Sequence, residues 1–264
     1  MNLEVISKQV INLIKSVGFF IHTESKKISA KDVEEKGFND FVTYVDKEAE
    51  QRLINELRKI LPRAGFIVEE DNTQSQASEF NWIIDPIDGT TNFIHSIPIY
   101  SISVALSYKG EIVLGIVYEI NSKECFHAIT DKPAYLNDNI ITVSATDALD
   151  HSMIATGFPY NDFSRIDAYI SLFKDLMRSS RGIRRLGSAA VDLAYVACGR
   201  FDIFYEYGLK PWDVAAGSFI VKQAGGKVSD FNGVGNYLFG REIVATNNRL
   251  HQRFLEKINK HLFS

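Results

Sequence analysis

Cysteine is scarce. Cys125 and Cys198 are the only two in 264 residues, each lies inside an apolar stretch, and no Cys-x-x-Cys pair occurs. That excludes a disulfide-stapled scaffold and a thiolate zinc centre, and it points to two buried, reduced thiols. Long apolar runs are missing as well: none reaches the ~18 residues of a membrane-spanning helix, so no membrane partner is expected. The first residues carry an early acid, Glu4, and place Lys8 and Lys15 inside an amphipathic pattern, which is not the layout of a signal peptide; the cytoplasm is the expected location. There is no surplus of positive charge, with 29 basic against 33 acidic residues and a net charge of −4, so no nucleic-acid partner is expected either. No repeat or low-complexity segment occurs. What the chain does have is 45% hydrophobic residues, enough to fill the core of one large α/β domain or two smaller ones.

The chain is organised around Asn81-Trp82-Ile83-Ile84-Asp85-Pro86-Ile87-Asp88-Gly89-Thr90-Thr91-Asn92-Phe93. A short apolar run too brief for a buried helix ends in two carboxylates, a glycine and two hydroxyls, which reads as a buried strand delivering acids to its tip. Pro86 removes a backbone donor, so the strand is expected to stop there, with Asp85 and Asp88 on the turn beyond it. Gly89-Thr90-Thr91 then offers backbone N–H groups next to acids, a layout suited to an anion held beside a cation.

Apolar residues at Leu3, Ile6, Val10, Leu13, Ile14 and Val17 recur at three and four, predicting a helix over about 3–21 that Gly18 weakens. The polar segment 23–40 is expected to be a mobile connection. A second helix runs from Lys47 to Leu61, with Asp46 near its first turn, where an acid serves as often as a cap as anything else. Phe66-Ile67-Val68 is a second short apolar run ending in acids, Glu69-Glu70-Asp71, and a polar surface loop, 72–79, follows. From Ile99 to Val143, alternating segments joined at Lys109-Gly110, Asn121-Ser122-Lys123 and 135–139 predict an antiparallel meander. Beyond it come a strand over Met153 to Thr156, a helix from Arg165 to Met177 behind a Ser164 cap, and a helix from Ala189 to Ala197 behind Gly187-Ser188. A strand from Asp202 ends on Glu206, a helix opens at Pro211-Trp212-Asp213, short strands lie at Val228 and 243–245, and a helix closes the chain over 250–262.

Four segments thus place acids where elements begin or end: Asp46, Glu69, Asp85 with Asp88, and Asp213. If they converge, each carboxylate pair ~4 Å apart costs about 4 kcal/mol at an effective dielectric near 20, so the cluster calls for cations. No histidine or cysteine spacing for zinc accompanies it, His95 reads as structural, and oxygen donors beside phosphate favour Mg²⁺, with Mn²⁺ as a substitute. An aspartyl nucleophile of the Asp-x-Asp-x-Thr type does not fit Asp85-Pro86-Ile87-Asp88.

Five ordered blocks carry a resemblance: Asn-Asp-Phe-Val-Thr-x-x-Asp at 39–46, Glu-Glu at 69–70, Asp-Pro-Ile-Asp-Gly-Thr-Thr-Asn-Phe at 85–93, Gly-Ser-Ala-Ala at 187–190 and Pro-Trp-Asp-Val-Ala-Ala-Gly at 211–217. Together they resemble the inositol monophosphatase family over almost the whole chain, and Arg184-Arg185-Leu186-Gly187-Ser188 and Gly199-Arg200-Phe201-Asp202 are similar to its bacterial branch. The resemblance implies an α/β (α+β) fold, a five-layered α-β-α-β-α sandwich forming one domain over 1–264, with halves at about 1–150 and 151–264. It implies a Mg²⁺-dependent, Li⁺-sensitive phosphomonoesterase, usually a homodimer, that hydrolyses a small phosphorylated polyol or sugar with two to three ions. By position, Glu69 and Asp85 with the Ile87 carbonyl would hold one metal, and Asp85, Asp88 and Asp213 the second. Glu69 would also reach a third ion. Gly89 and Thr90 would donate N–H groups to phosphate, Asp46 with the Thr90 hydroxyl would orient or deprotonate the attacking water, and Gly187, Ser188, Ala189 and Glu206 would contact the alcohol. Arg184 would brace the substrate wall, and segment 23–40 would help close the site. Val68 stands where the family often has glycine, which leaves the register open between Glu69 and Glu70. Inositol 1-phosphate is the first expectation for the substrate; fructose 1,6-bisphosphate and 3′-phosphoadenosine 5′-phosphate belong to related enzymes on the same metal core. A regulatory binding protein that keeps the fold is the reading of a different class.

Overall fold

The computed structural model describes residues 1–28, 33–37, 40–70, 79–160 and 162–263. Two helices lead, α1 (Leu3–Ser25) and α2 (Tyr44–Ile60), with a hairpin of β1 (Val33–Gly37) and β2 (Asp40–Thr43) between them. A seven-stranded sheet follows in spatial order β3 (Gly65–Val68), β4 (Phe80–Asp88), β5 (Ser101–Tyr108), β6 (Glu111–Glu119), β7 (Glu124–Ile129), β8 (Ala134–Leu136) and β9 (Asn139–Ile141), so the expected meander is present. The short helix α3 (Thr90–Ile94) leaves the end of β4. A five-stranded sheet has the order β11 (Gly182–Arg184), β10 (Met153–Thr156), β12 (Ile203–Tyr207), β14 (Glu242–Thr246), β13 (Lys227–Ser229). Four more helices, α4 (Ile166–Ser179), α5 (Ala189–Ala197), α6 (Pro211–Gln223) and α7 (His251–Leu262), complete the chain.

Three apolar cores separate five layers. Alternate residues of the large sheet, including Trp82, Ile84, Ile102, Val104, Leu106, Ile116 and Tyr118, face α1 and α2. The intervening positions Ile83, Ala105, Val117 and Phe126 face the other way, onto α5 and α6, as the period of two in a strand requires. The α5 and α6 helices are rich in alanine because both their sides are covered, one by each sheet. A third core joins the outer face of the small sheet to α4 and α7 through Ile154, Tyr169, Tyr205, Val244 and Phe254. The layers are therefore α-β-α-β-α, as the resemblance implies. No described helix is long and apolar enough to cross a membrane.

Several expectations need correction. Gly18 does not end the first helix: a Cβ there would stand 2.6 Å from the Tyr118 ring, so the glycine lets sheet and helix approach while the helix runs on to Ser25. Segment 23–40 is not one loose connection, because it contains the end of α1 and the strand β1; residues 29–32 and 38–39, including Asn39, lie outside the described residues. The loop expected over 72–79 falls almost wholly outside them too. Strand β4 does not stop at Pro86. It continues to Asp88 through a bulge, pairing Asp85 with Ser103 and Asp88 with Ser101, and the proline occupies the irregular stretch where a missing donor is tolerated. Ser164 does not cap α4 with its side chain; its hydroxyl donates instead to Asp162 Oδ1 at 2.6 Å.

Candidate active site

The bulge of β4 turns Asp85 and Asp88 toward the first turn of α6, where Asp213 stands. Oxygens of the three lie within 4.8 Å of one another. Asp213 is held by its own helix start, accepting from the Lys210 N–H at 2.6 Å, and the Trp212 carbonyl accepts from Ser103 Oγ at 3.0 Å, which ties α6 to β5. Asp85 Oδ1 accepts the Ile87 N–H at 3.0 Å. Asp88 Oδ2 accepts from Ser188 Oγ at 2.6 Å and from the Ala190 N–H at 2.7 Å, so it also caps α5. Glu69, at the end of β3, is the neighbour whose charge and hydrogen bond act on Asp85. Of the pair Glu69-Glu70, the first therefore joins the acid cluster, while the Glu70 N–H donates to Glu50 Oε2 at 2.9 Å.

Crowding shows in the protonation of this cluster. Burial, then the charges of Glu69, Asp88 and Asp213, push the Asp85 carboxyl far above its ordinary range. Burial raises Asp88 to about 6, opposed by its hydrogen bonds from Ser188 and α5. Burial, then the charge of Asp88, raises Asp213 to about 7. Carboxylates gathered at such a cost, with no histidine or cysteine among them, fit a hard divalent cation.

Beside the cluster, Gly89 at φ +99° turns the chain into α3, whose first N–H groups have no acceptor within the helix. Alanine at Gly89 would be strained by that dihedral and would meet the Gly187 carbonyl at 3.1 Å. Thr90 Oγ1 lies 2.9 Å from the Ile87 carbonyl and 3.2 Å from Asp46 Oδ1. Asp46, fully buried, has both of its expected lives: it accepts from the Thr43 N–H and hydroxyl as a capping-box acid of α2, and it faces Thr90. Burial raises its carboxyl, while the bonds from Thr43 and Thr90 lower it.

A cleft of about 450 Å³ opens here, lined among others by Glu69, Asp85, Ile87, Asp88, Gly89, Thr90, Gly187, Ser188, Ala189, Glu206 and Asp213. The structure thus brings together every expected site residue but two. Asp46 sits one contact behind the lining, and Arg184 does not reach it: exposed on β11, Arg184 donates to the Ile183 carbonyl. The neighbouring Arg185 does line the cleft, as Arg241 does, and donates to Tyr160 Oη at 2.7 Å. A sequence with two adjacent arginines offers no means of choosing between them until the end of β11 is known. Asp192 and Gly157 were missed as well. Asp192 is one helical turn after Ser188 on the same face of α5, a spacing that could have found it. Its side chain is 1% exposed, and its Oδ1 has no hydrogen-bond partner. Ser188 and Asn92 serve the scaffold: Ser188 caps α5, and Asn92 Nδ2 donates to the carbonyls of Ile99 and Leu186, both at 2.8 Å, clamping α3 to the loop before α5.

A cage of buried carboxylates beside a helix start, set where two sheets meet a shared helix layer, defines the class of metal-dependent phosphatases. Comparison with known proteins narrows the class. The model of the inositol monophosphatase family matches residues 2–262. The Nus factor SuhB of Escherichia coli K12 is 40% identical over 253 residues, covering 96% of this chain and 95% of that protein. Inositol monophosphatase from Anabaena (Nostoc) sp. PCC 7120 superposes with a TM-score of 0.89 at 31% identity, over 99% of this chain and 98% of that one. An IMPase/NADP phosphatase solved with Mg²⁺ and phosphate gives 0.85 at 25% identity, over 97% and 96%. The chain belongs to the inositol monophosphatase family.

Proposed function

We propose that this chain is a Mg²⁺-dependent phosphomonoesterase of small polyol phosphates, with inositol 1-phosphate as the first substrate and water as the attacking group. The observation that carries the reading is the convergence of Asp85, Asp88 and Asp213 within 4.8 Å beside the turn at Gly89. In this reading Glu69, Asp85 and the Ile87 carbonyl would hold one ion and Asp85, Asp88 and Asp213 a second, Glu69 would serve a third, and Mn²⁺ would substitute. A divalent ion there supplies positive charge against the phosphate and lowers the pKa of water. The rest falls to the chain. Gly89 and Thr90 present N–H groups to phosphate oxygens. Asp46 keeps the Thr90 hydroxyl turned toward the reacting side and takes the proton that Thr90 hands on. Gly187, Ser188, Ala189 and Glu206 form the wall for the alcohol, with Arg185 in the place expected of Arg184.

The family resemblance further supports one domain over 1–264, a cytoplasmic homodimer and inhibition by Li⁺; sedimentation tests the dimer. The solved IMPase/NADP phosphatase keeps nucleotide phosphates in the panel, together with fructose 1,6-bisphosphate and 3′-phosphoadenosine 5′-phosphate. The name of the Escherichia coli relative, a Nus factor, favours a second reading: a protein that keeps this fold and serves transcription through its surface. Phosphate release from inositol 1-phosphate, fructose 1,6-bisphosphate, 3′-phosphoadenosine 5′-phosphate and NADP, with and without Mg²⁺, separates the two. We expect metal-dependent turnover, fastest on inositol 1-phosphate. A chain silent on the whole panel is not an enzyme of this kind, and the second reading then stands.

A further inference from the structure

Glu206 occupies a place that another residue has been shaped to leave open. It lies near the end of β12, buried, with its carboxyl directly over Gly157, the residue that follows β10. A Cβ built on Gly157 would stand 2.1 Å from Glu206 Oε1 and 2.2 Å from both Cδ and Oε2, and these are its three nearest atoms. The carboxyl would have to retreat by about an ångström before that contact became an ordinary one.

The backbone at this point is held by a buried tyrosine. Tyr169, fully buried on α4, has its hydroxyl 3.0 Å from the Gly157 carbonyl, 2.6 Å from Thr156 Oγ1 and 3.2 Å from the Tyr205 carbonyl, so one side chain pins both strand ends. Other acids stand around the carboxyl. Asp88 and Asp213 repel it on the metal side, and Asp192 faces it from α5. Arg185, whose charge acts on it, is tied to Tyr160 at 2.7 Å.

We propose that Gly157 is the positioning residue that seats Glu206, and that its missing side chain sets the cleft's preference for phosphates of alcohols rich in hydroxyl groups. The proposal rests on the reading of Glu206 as an acceptor for the alcohol portion. A seated carboxylate offers oxygens in fixed directions, and hydrogen bonds from substrate hydroxyls repay it only if those directions match. A displacement of 1 Å in a site of this kind can cost about 10²-fold. An alcohol with no other hydroxyl makes no use of the seat.

The test is steady-state hydrolysis by the full chain with Mg²⁺, comparing kcat/KM for inositol 1-phosphate with that for 4-nitrophenyl phosphate. In Gly157→Ala the ratio should fall about tenfold or more through KM, as expected for loss of a hydrogen bond to a charged group. Glu206→Ala should lower it similarly, and adding Gly157→Ala to Glu206→Ala should change it by no more than about twofold, because the two residues act through one contact. Glu206→Asp, shorter by one methylene, should harm the unmutated chain yet raise the ratio in the Gly157→Ala background. The clash falls on the far end of a flexible side chain, and melting curves will show whether Gly157→Ala folds; if it does not, the same ratio is read on Gly157→Ala with Glu206→Asp. An unchanged ratio in active Gly157→Ala, or an equal loss where Glu206 is already alanine, overturns the proposal. No metal-dependent turnover in the unmutated chain overturns the reading beneath it as well.

Discussion

Asp85 is ringed by the carboxyls of Glu69, Asp88 and Asp213. An asparagine there keeps the oxygen that accepts the Ile87 N–H and removes one negative charge from a buried group. We expect Asp85→Asn to lower kcat/KM for phosphate release by about 10²-fold or more, on the scale of losing metal affinity. Without metal, the same variant should melt at neutral pH no lower than the unmutated chain, and about 2–4 °C higher for each kcal/mol of repulsion relieved. A fall in melting temperature with unchanged turnover would reverse the role given to Asp85. Its legibility in the sequence came from chemistry, since acids ending an apolar run have few structural uses. Arg185 and Gly157 were hidden for the opposite reason: their meaning depends on what lies across the cleft, and no local pattern reports it.

At the scale of elements, the central helices explain why small residues line the inner face of the large sheet. Ser101 and Ser103 meet the starts of α5 and α6, and Gly115 on β6 lies against the backbone of α6, where a Cβ would stand 2.7 Å from the Ala216 carbonyl. Backbone cannot swing aside as a side chain can. Gly115→Ala should therefore destabilise the fold by about 1–3 kcal/mol, read as a lower urea midpoint at unchanged slope. Equal midpoints would mean that α6 is free to slide. Much was legible in advance: α2, the meander and the closing helix lie close to where the apolar pattern puts them, and α6 opens where Pro211 and Asp213 mark a helix start. Strands β1 and β11 were not, because Val33-Glu34-Glu35-Lys36-Gly37 carries no apolar alternation and Gly182-Ile183-Arg184 is too short to show one. The end of α1 was misread because Gly18 serves a ring on another layer.

For the whole molecule, response to acid is set partly by His251, which is buried between Ser229 Oγ at 3.0 Å and Thr246 Oγ1 at 3.1 Å. Burial, then the charge of Lys227, lowers its pKa from 6.5 to about 4. The unfolded chain takes up this proton first, so the stability that neutral His251 lends is whole above about pH 6.5 and lost as pH falls toward 4. By about pH 5 the loss should be roughly 2 kcal/mol. Urea midpoints compared at neutral and acid pH should show His251→Gln losing less than the unmutated chain; equal losses would remove His251 from the account. The raised carboxyls of the cleft work in the other direction when no metal is bound, which is why the comparison is between variants.

The cage draws Asp85 and Asp88 from the large sheet and Asp213 from the head of α6, close to half the chain's length away. A growing polypeptide exposes Glu69, Asp85 and the Ile87 carbonyl, the groups proposed for one ion, well before Asp213 exists to complete the other. An ion held by Asp85, Asp88 and Asp213 would latch the two halves together only once both have formed.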